Sequence, residues 1–393
     1  SNDTSWRTGF GPNDLMMFLN LIIDGERPGS QSRAMPSFSN RGGARCVIGL
    51  AAMLGTIALH AACNSSLSNG PGGLGPAADA AAGPGDVFVG GGGGDANGGA
   101  GEAGVPATQG TRGFPETAPW VSFYGPVRAP DVARLTSTFR IMNLEVDPDS
   151  PNVTSSQLTQ LRAGGMNRVI SYLNMGACET YRSYYATPPA GFASCVSSGA
   201  LTTVYSPQYP DEKWANLSNV AYRKLMVEYV AQRLWDRGID GFFLDNLEVV
   251  EHGAGAASGP CDAACAQGGL DLVWELRQRF PAALIVMQNA TSDVTRLGTT
   301  HGVAYPSLLD GISHEEVYSA VADPGSRTEM LSWKAMKLTV NGRPFWLAAE
   351  DYVGACDAAS KPAAVSIEAK AKADGLSSYV TDASGSQTAP CFW

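Results

Sequence analysis

The chain has 393 residues, of which 46 are glycine and only 16% are charged. Globular chains usually carry ~7% glycine and ~25% charge, so part of this one is filler that cannot build a core. A net charge of −10 argues against nucleic-acid binding driven by phosphate neutralisation. The four histidines, His60, His252, His301 and His314, form no close pair, which argues against a histidine-rich zinc site.

Residues 1–34 hold one short apolar patch, Leu15–Ile23, too short to span a bilayer. They read as a non-native or disordered extension. From Met35 the pattern is that of a secretory signal: Arg41 and Arg45, an apolar run from Val47 to Ala62, then small residues before Cys63. Cys63 after Ala61-Ala62 resembles a bacterial lipobox, in which the cysteine is lipidated, although His60 stands where such boxes carry an aliphatic residue. Residues 35–63 are therefore expected to export the C-terminal part, as a cell-surface or outer-membrane lipoprotein held at Cys63 or as a secreted protein. Residues 64–116, with an unbroken glycine run at Gly90–Gly94, lack any period of 2 or 3.6 and read as a flexible linker. No Gly-Lys-Ser/Thr comes after the glycines, so they are no phosphate loop.

Residues 117–393 carry the fold. The chain holds eight cysteines; setting aside Cys46 and Cys63 leaves 8 − 2 = 6 in this part. An even number in an exported domain suggests disulfides, and proximity favours Cys178–Cys195, Cys261–Cys265 and Cys356–Cys391. Apolar runs predict strands at Trp120–Tyr124, Phe139–Val146, Arg168–Met175, Gly241–Asp245, Leu284–Asn289, Leu309–His314, Phe345–Ala349 and Gly375–Val380. Helical patterns lie between them. One opens at Ser155 and ends at Gly164-Gly165. The clearest runs from Tyr222 to Asp236, with Ser218 or Asn219 as its cap and Gly238 as its end. This alternation predicts a single α/β (β/α)8 TIM barrel. A doubly wound sheet is the rival, but Tyr124-Gly125-Pro126-Val127 is no dinucleotide fingerprint.

Barrel chemistry belongs at the strand ends, and nearly every predicted end carries a carboxylate or an amide. Asp245 closes the wholly apolar Gly241–Leu244. Glu315 and Glu316 come directly after His314, and because adjacent strand residues face opposite ways, only one of them is expected to face the site. Two rim carboxylates with aromatic neighbours are the equipment of glycoside hydrolysis. Tyr124, Tyr172, Trp214, Tyr318 and Tyr352 are candidate sugar-stacking faces.

These residues resemble glycoside hydrolase family 114. The resemblance rests on Tyr172-Leu173-Asn174-Met175-Gly176-Ala177-Cys178-Glu179-Thr180-Tyr181-Arg182, Trp214, Gly238–Asn246, Gln288-Asn289 and Asp310–Glu315, and it spans about residues 118–385. The family comprises endo-α-1,4-polygalactosaminidases and relatives with a TIM-barrel fold. Ala349-Glu350-Asp351-Tyr352 matches its Asp-Tyr ending with an extra acid before it. The resemblance implies a retaining, endo-acting hydrolase of galactosamine-containing polysaccharide, with Asp245 as nucleophile and Glu315 as acid/base. Glu316 is the alternative acid, or a neighbour that, with Glu145, favours the protonated form. Glu145, Glu179 and Asp351 are candidates for the polymer's amines. Arg182, Asn246, Gln288 and Asn289 are further candidate substrate contacts. No metal or organic cofactor is implied, no nucleic acid, and a monomer is expected. Competing readings are a non-catalytic polysaccharide-binding lipoprotein on the same barrel, a hydrolase of another linkage, and a metal-dependent enzyme using Asp245 and Glu248.

Overall fold

The computed structural model describes residues 112–393, apart from 116, 320, 321 and 386. The expected extension, signal segment, lipidation site Cys63 and linker lie outside the described residues. Eight parallel strands form the sheet in sequence order. They are β1 (Trp120–Phe123), β2 (Ile141–Leu144), β3 (Arg168–Asn174), β4 (Gly241–Asp245), β5 (Leu284–Gln288), β6 (Gly311–Glu315), β7 (Trp346–Val353) and β8 (Ser377–Asp382). All eight predicted strands are present. The seventh runs farther than its sequence suggested, so Glu350, Asp351 and Tyr352 stand on the strand rather than after it.

The sheet rolls into a TIM barrel with one seam. Among the described residues no ladder joins β1 to β8. The seam is held by the Ala118 N–H donating to Ser377 Oγ at 3.3 Å, and by the Tyr124 N–H donating to the Gln387 carbonyl at 2.7 Å. The strands read as nearly continuous apolar runs because helices cover the outside while side chains fill the inside. In the lower interior Trp120 meets Trp346 edge-on at 5.4 Å and Phe243 at 6.2 Å. Gly311 makes room for this layer, since a Cβ there would lie 2.6 Å from the Trp346 carbonyl and 3.1 Å from its ring. Two residues farther along each strand the same inner face turns polar: Trp120 gives way to Ser122, Phe243 to Asp245, and Gly311 to Ser313.

Two Asp-Gly pairs fasten the opposite end. Asp240, just before β4, pairs with Arg162 at 2.8 Å and accepts the Val169 N–H of β3 at 2.9 Å. Asp310, just before β6, pairs with Arg277 at 2.5 Å and accepts the Ile285 N–H of β5 at 3.0 Å. In each case an arginine from a preceding helix neutralises a buried carboxylate that also stitches the neighbouring strand. Both belong to the motifs that carry the family resemblance, yet they lie at the end of the barrel associated with stability.

The helix Ser155–Arg162 is capped by Thr154 with a reciprocal bond from Gln157. The predicted helix at 222–236 begins at Val220, is capped by Asn219 Oδ1 accepting the Tyr222 N–H at 3.0 Å, and widens into a π turn over Leu225–Val230. Disulfides join Cys178–Cys195, Cys261–Cys265 and Cys356–Cys391, which are the pairs favoured by proximity. Between β3 and β4 the chain makes an excursion that the sequence pattern did not announce. It is a three-stranded antiparallel sheet of Ala177–Glu179, Leu201–Ser206 and Tyr209–Ala215.

Candidate active site

Asp245 and Glu315 end two strands on the same side of the barrel, with β5 between them. The residue after each of β4, β5 and β6 has left-handed backbone: Asn246 at φ 61°, Asn289 at φ 61° and Glu316 at φ 52°. Asparagine tolerates this region better than most residues. The sharp turns stop the strands abruptly and leave the two acids at the rim. Gly176, after β3, is required by the same crowding, since a Cβ there would lie 1.7 Å from the Asn246 carbonyl.

Glu315 is held on both oxygens. Asn289 Nδ2 donates to Oε2 at 2.6 Å, and the Tyr352 hydroxyl donates to Oε1. The Glu315 N–H in turn donates to Asn289 Oδ1 at 3.0 Å. Behind Tyr352, Gln387 Nε2 donates to the tyrosine hydroxyl at 3.3 Å, and Ser122 Oγ donates to Gln387 Oε1 at 3.0 Å. Asn143 Nδ2 bridges Ser122 Oγ at 3.0 Å and the Tyr124 hydroxyl at 3.1 Å. The Tyr124 ring packs on Tyr172 at 4.8 Å. Burial and then repulsion from Glu315 push the Asp245 carboxyl up to about 7, against hydrogen bonds from the Asn246 N–H and the Tyr172 hydroxyl. The Glu315 charge thus disfavours a second charge on Asp245, as expected of carboxyls in a small site.

The excursion covers this mouth. Its Glu212 accepts from Asn174 Nδ2 at 2.5 Å and Asn246 Nδ2 at 2.6 Å. Burial and the nearby Glu179 push it up to about 8. Trp214 stacks at 4.5 Å on Tyr205, which meets the half-exposed Tyr209 at 5.9 Å. The charges of Glu315, Glu212 and Asp245 all bear on the Tyr209 hydroxyl, so this aromatic series overlooks the acids. Sequence reading singled out Trp214 but neither Glu212 nor Tyr209. The signal available was the two-residue spacing of Glu212 and Trp214, which places both on one face of a strand.

The sequence profile of glycoside-hydrolase family GH114 matches residues 114–280. Over these residues the chain resembles glycoside hydrolase family 114. That match takes in Asp245 and Glu212 and stops before Glu315. An uncharacterized protein of Deinococcus radiodurans is 26% identical over 258 residues, covering 63% of this chain and 75% of that one. The structure of the glycoside hydrolase domain of PelA from Pseudomonas aeruginosa superposes with a TM-score of 0.50 at 14% identity, covering 69% of this chain and 96% of that domain. The latter likeness speaks for the fold, a TIM barrel.

In this glycoside hydrolase the remaining candidate residues fall in several places. Glu145, Glu179 and Arg182 form a buried ion-pair cluster beside the mouth. Arg182 meets Glu145 at 2.7 Å, Glu179 through its Nε, and Asp147 at 3.7 Å. The Tyr181 hydroxyl donates to Glu179 at 2.8 Å. Burial raises the Glu145 carboxyl, while Arg182 opposes the shift. Asp351 and Tyr318 face away from Glu315. Asp351 accepts the N–H groups of Tyr318 and Ser319 at 2.6 and 2.7 Å, which fastens the turn after β6, and the Tyr318 hydroxyl donates to Asp374 at 2.7 Å. Glu316 lines a groove with His314, Asp323 and Glu329 that Asn289 and Glu315 also line, and its N–H donates to the Glu350 carbonyl at 2.8 Å. Gln288, at the end of β5, is buried with its Oε1 unpartnered among the described residues. Glu248, a candidate metal ligand by sequence, stands near Asp245; burial and the Asp245 charge raise it well above the ordinary range.

Proposed function

We propose that this glycoside hydrolase is a retaining, endo-acting enzyme that cleaves α-1,4 linkages in galactosamine-containing polysaccharide. The observation that carries the reading is the convergence of Asp245 and Glu315, mutually repelling and each fixed by side chains of its own. In the first step an Asp245 oxygen attacks the anomeric carbon while Glu315 gives its proton to the departing glycosidic oxygen. In the second, the Glu315 carboxylate takes a proton from water, the water oxygen attacks the same carbon, and Asp245 leaves as a carboxylate. Retention requires the two carboxyl groups to stand roughly 5–5.5 Å apart. Glu315 rather than Glu316 is assigned as the acid because it is Glu315 that Asn289 and Tyr352 hold toward the mouth.

The substrate is read as partly deacetylated polymer. Glu145 and Glu179 are engaged with Arg182, and Asp351 with backbone amides. Glu212 and Glu248 are the mouth acids better placed to meet an ammonium group, and Tyr209 and Tyr205 offer ring faces to the sugars, with Trp214 buried behind Tyr205. Export through residues 35–63, with lipid at Cys63, would place the enzyme outside the cytoplasm and against such polymers. The test is cleavage of acetylated and deacetylated galactosamine oligomers by the chain and by its Asp245→Asn and Glu315→Gln variants. Both variants should be folded and inactive, with retained configuration in the wild-type product; full activity in either variant sinks the assignment.

A further inference from the structure

The two-acid chemistry leaves one carboxyl in the mouth without a task. Glu350 stands on β7, in register with Glu315 of β6 on one side and Tyr379 of β8 on the other. It is 0% exposed, it enters no salt bridge among the described residues, and neither of its oxygens has a partner of good hydrogen-bond geometry there. The Ser122 hydroxyl comes close enough to favour its charged form, yet is engaged with Gln387 Oε1. The ionisable groups that face Glu350 are Tyr124 of β1, Asp245 of β4, Glu315, Tyr379, and Asp351 and Tyr352 of its own strand. None is a cation. A bare buried carboxylate surrounded by acids and phenols is strongly disfavoured, so the group keeps its proton. Burial and then the charges of Glu315 and Asp245 hold it well above the ordinary carboxylate range.

We propose that Glu350 is a positioning residue: an uncharged carboxylic acid beside the Asp245–Glu315 pair that directs the hydrogen-bond chain holding Glu315. The chain runs one way. Ser122 donates to Gln387 Oε1, Gln387 Nε2 donates to the Tyr352 hydroxyl, and Tyr352 donates to Glu315 Oε1; a proton kept on Glu350, beside Ser122, leaves the Ser122 hydroxyl free to point at Gln387. Were Glu350 charged, it would take the Ser122 proton for itself, and Gln387 and Tyr352 would lose their orientation. The site would also carry a third negative charge against the two that the reaction needs. An acid kept neutral in an active site is a known catalytic device, and consecutive donors strengthen one another. The inference rests on Asp245 and Glu315 being the reacting pair.

The experiment uses the full chain with Glu350→Gln and Glu350→Ala. In infrared difference spectra at neutral pH, wild type minus Glu350→Gln should show the carbonyl stretch of a protonated carboxylic acid. The melting temperature of Glu350→Gln relative to wild type should rise as pH passes above the ordinary glutamate value of 4.5, because only the wild type must keep a proton that its unfolded chain releases. On a deacetylated galactosamine oligomer Glu350→Ala should lower kcat about tenfold with KM nearly unchanged, and Glu350→Gln should recover most of that loss. Absence of the infrared band, a stability difference independent of pH, a glutamine variant as impaired as the alanine variant, or an unimpaired alanine variant overturns the proposal. If either Asp245→Asn or Glu315→Gln stays fully active, the assignment of the pair fails instead, and the band and the melting curves still decide the charge of Glu350.

Discussion

Asn289 grips Glu315 at two points, its Nδ2 donating to the carboxylate at 2.6 Å and its Oδ1 accepting the Glu315 N–H at 3.0 Å. The grip depends on the left-handed backbone of Asn289 at φ 61°, which folds the side chain back across the end of β5 toward β6. A rim acid on a long side chain would otherwise sample several rotamers, few of them aimed at a glycosidic oxygen.

Replacing Asn289 by Ala removes a hydrogen bond to a charged group, worth about 1.5–3 kcal/mol. If that energy serves orientation, kcat falls about ten- to hundredfold with little change in KM. Steady-state kinetics on a defined oligomer checks this; an unchanged kcat would show that Tyr352 alone suffices to hold the acid.

Arg182 answers to a different logic. It is 4% exposed and neutralises Glu145 and Glu179 together, with Asp147 nearby. Arg182→Leu leaves two buried carboxyls without their cation and should destabilise the fold by about 3–5 kcal/mol, as breaking buried pairs does. Urea denaturation measures the loss. A second change, Glu145→Gln in the same chain, should restore part of it, since one uncompensated charge goes with it.

Much of this architecture is legible in the sequence, and the reason is physical. Strands buried on both faces must be apolar throughout, so each appears as a run; a carboxylate ending such a run, as Asp245 does after Gly241–Leu244, stands out against it. The hidden parts obey no such pattern. The strand Tyr209–Ala215 reads Tyr-Pro-Asp-Glu-Lys-Trp-Ala, half polar because one face covers the mouth and the other meets solvent, so Glu212 looks like any surface acid. Asp240 and Asp310 illustrate the reverse: they resemble site residues by motif but pair with Arg162 and Arg277 at the far end. The role of Glu145 is likewise out of reach of sequence, because the Arg182 it pairs with lies 37 residues farther along the chain.

The buried acids set the pH dependence of stability. Asp245 is pushed up to about 7, Glu212 to about 8 and Glu251 to about 7, in each case chiefly by burial. A carboxyl raised in the folded state binds more protons there than in the unfolded chain, so its contribution is full below the ordinary carboxyl range and is lost as pH climbs through the raised value. The stability of the chain should therefore fall between about pH 5 and pH 8, opposite to the trend given by salt-bridged carboxylates. Denaturation midpoints across that range test the sign; a steady rise would mean that lowered carboxyls such as Asp149 and Asp374 outweigh the mouth.

Tyr209 should matter for binding more than for chemistry. It is half exposed, rests on Tyr205, and overlooks the acids without touching the hold on Glu315. An aromatic contact of this kind is worth about 0.5–1.5 kcal/mol, so Tyr209→Ala should raise KM about two- to twelvefold and leave kcat close to wild type. Equal losses in both constants would place the ring in the transition state rather than in substrate capture.

The same raised acids change how a cationic polymer would be attracted. A mouth lined by Asp245, Glu212 and Glu248 looks strongly negative in sequence, yet burial holds Glu212 at about 8 and Glu248 well above the ordinary range, so the free site carries less charge than its composition suggests. An ammonium group entering beside them favours their charged forms, and the protons so displaced must leave. Binding of a deacetylated galactosamine oligomer to the inactive Asp245→Asn variant at neutral pH should therefore release protons, whereas the fully acetylated oligomer should release none. Calorimetry in two buffers of different ionisation enthalpy reads the number directly. Glu248→Gln should reduce the release and weaken binding of the deacetylated oligomer selectively. Proton release that is the same for both oligomers would place the amine elsewhere along the cleft and remove Glu212 and Glu248 from substrate selection.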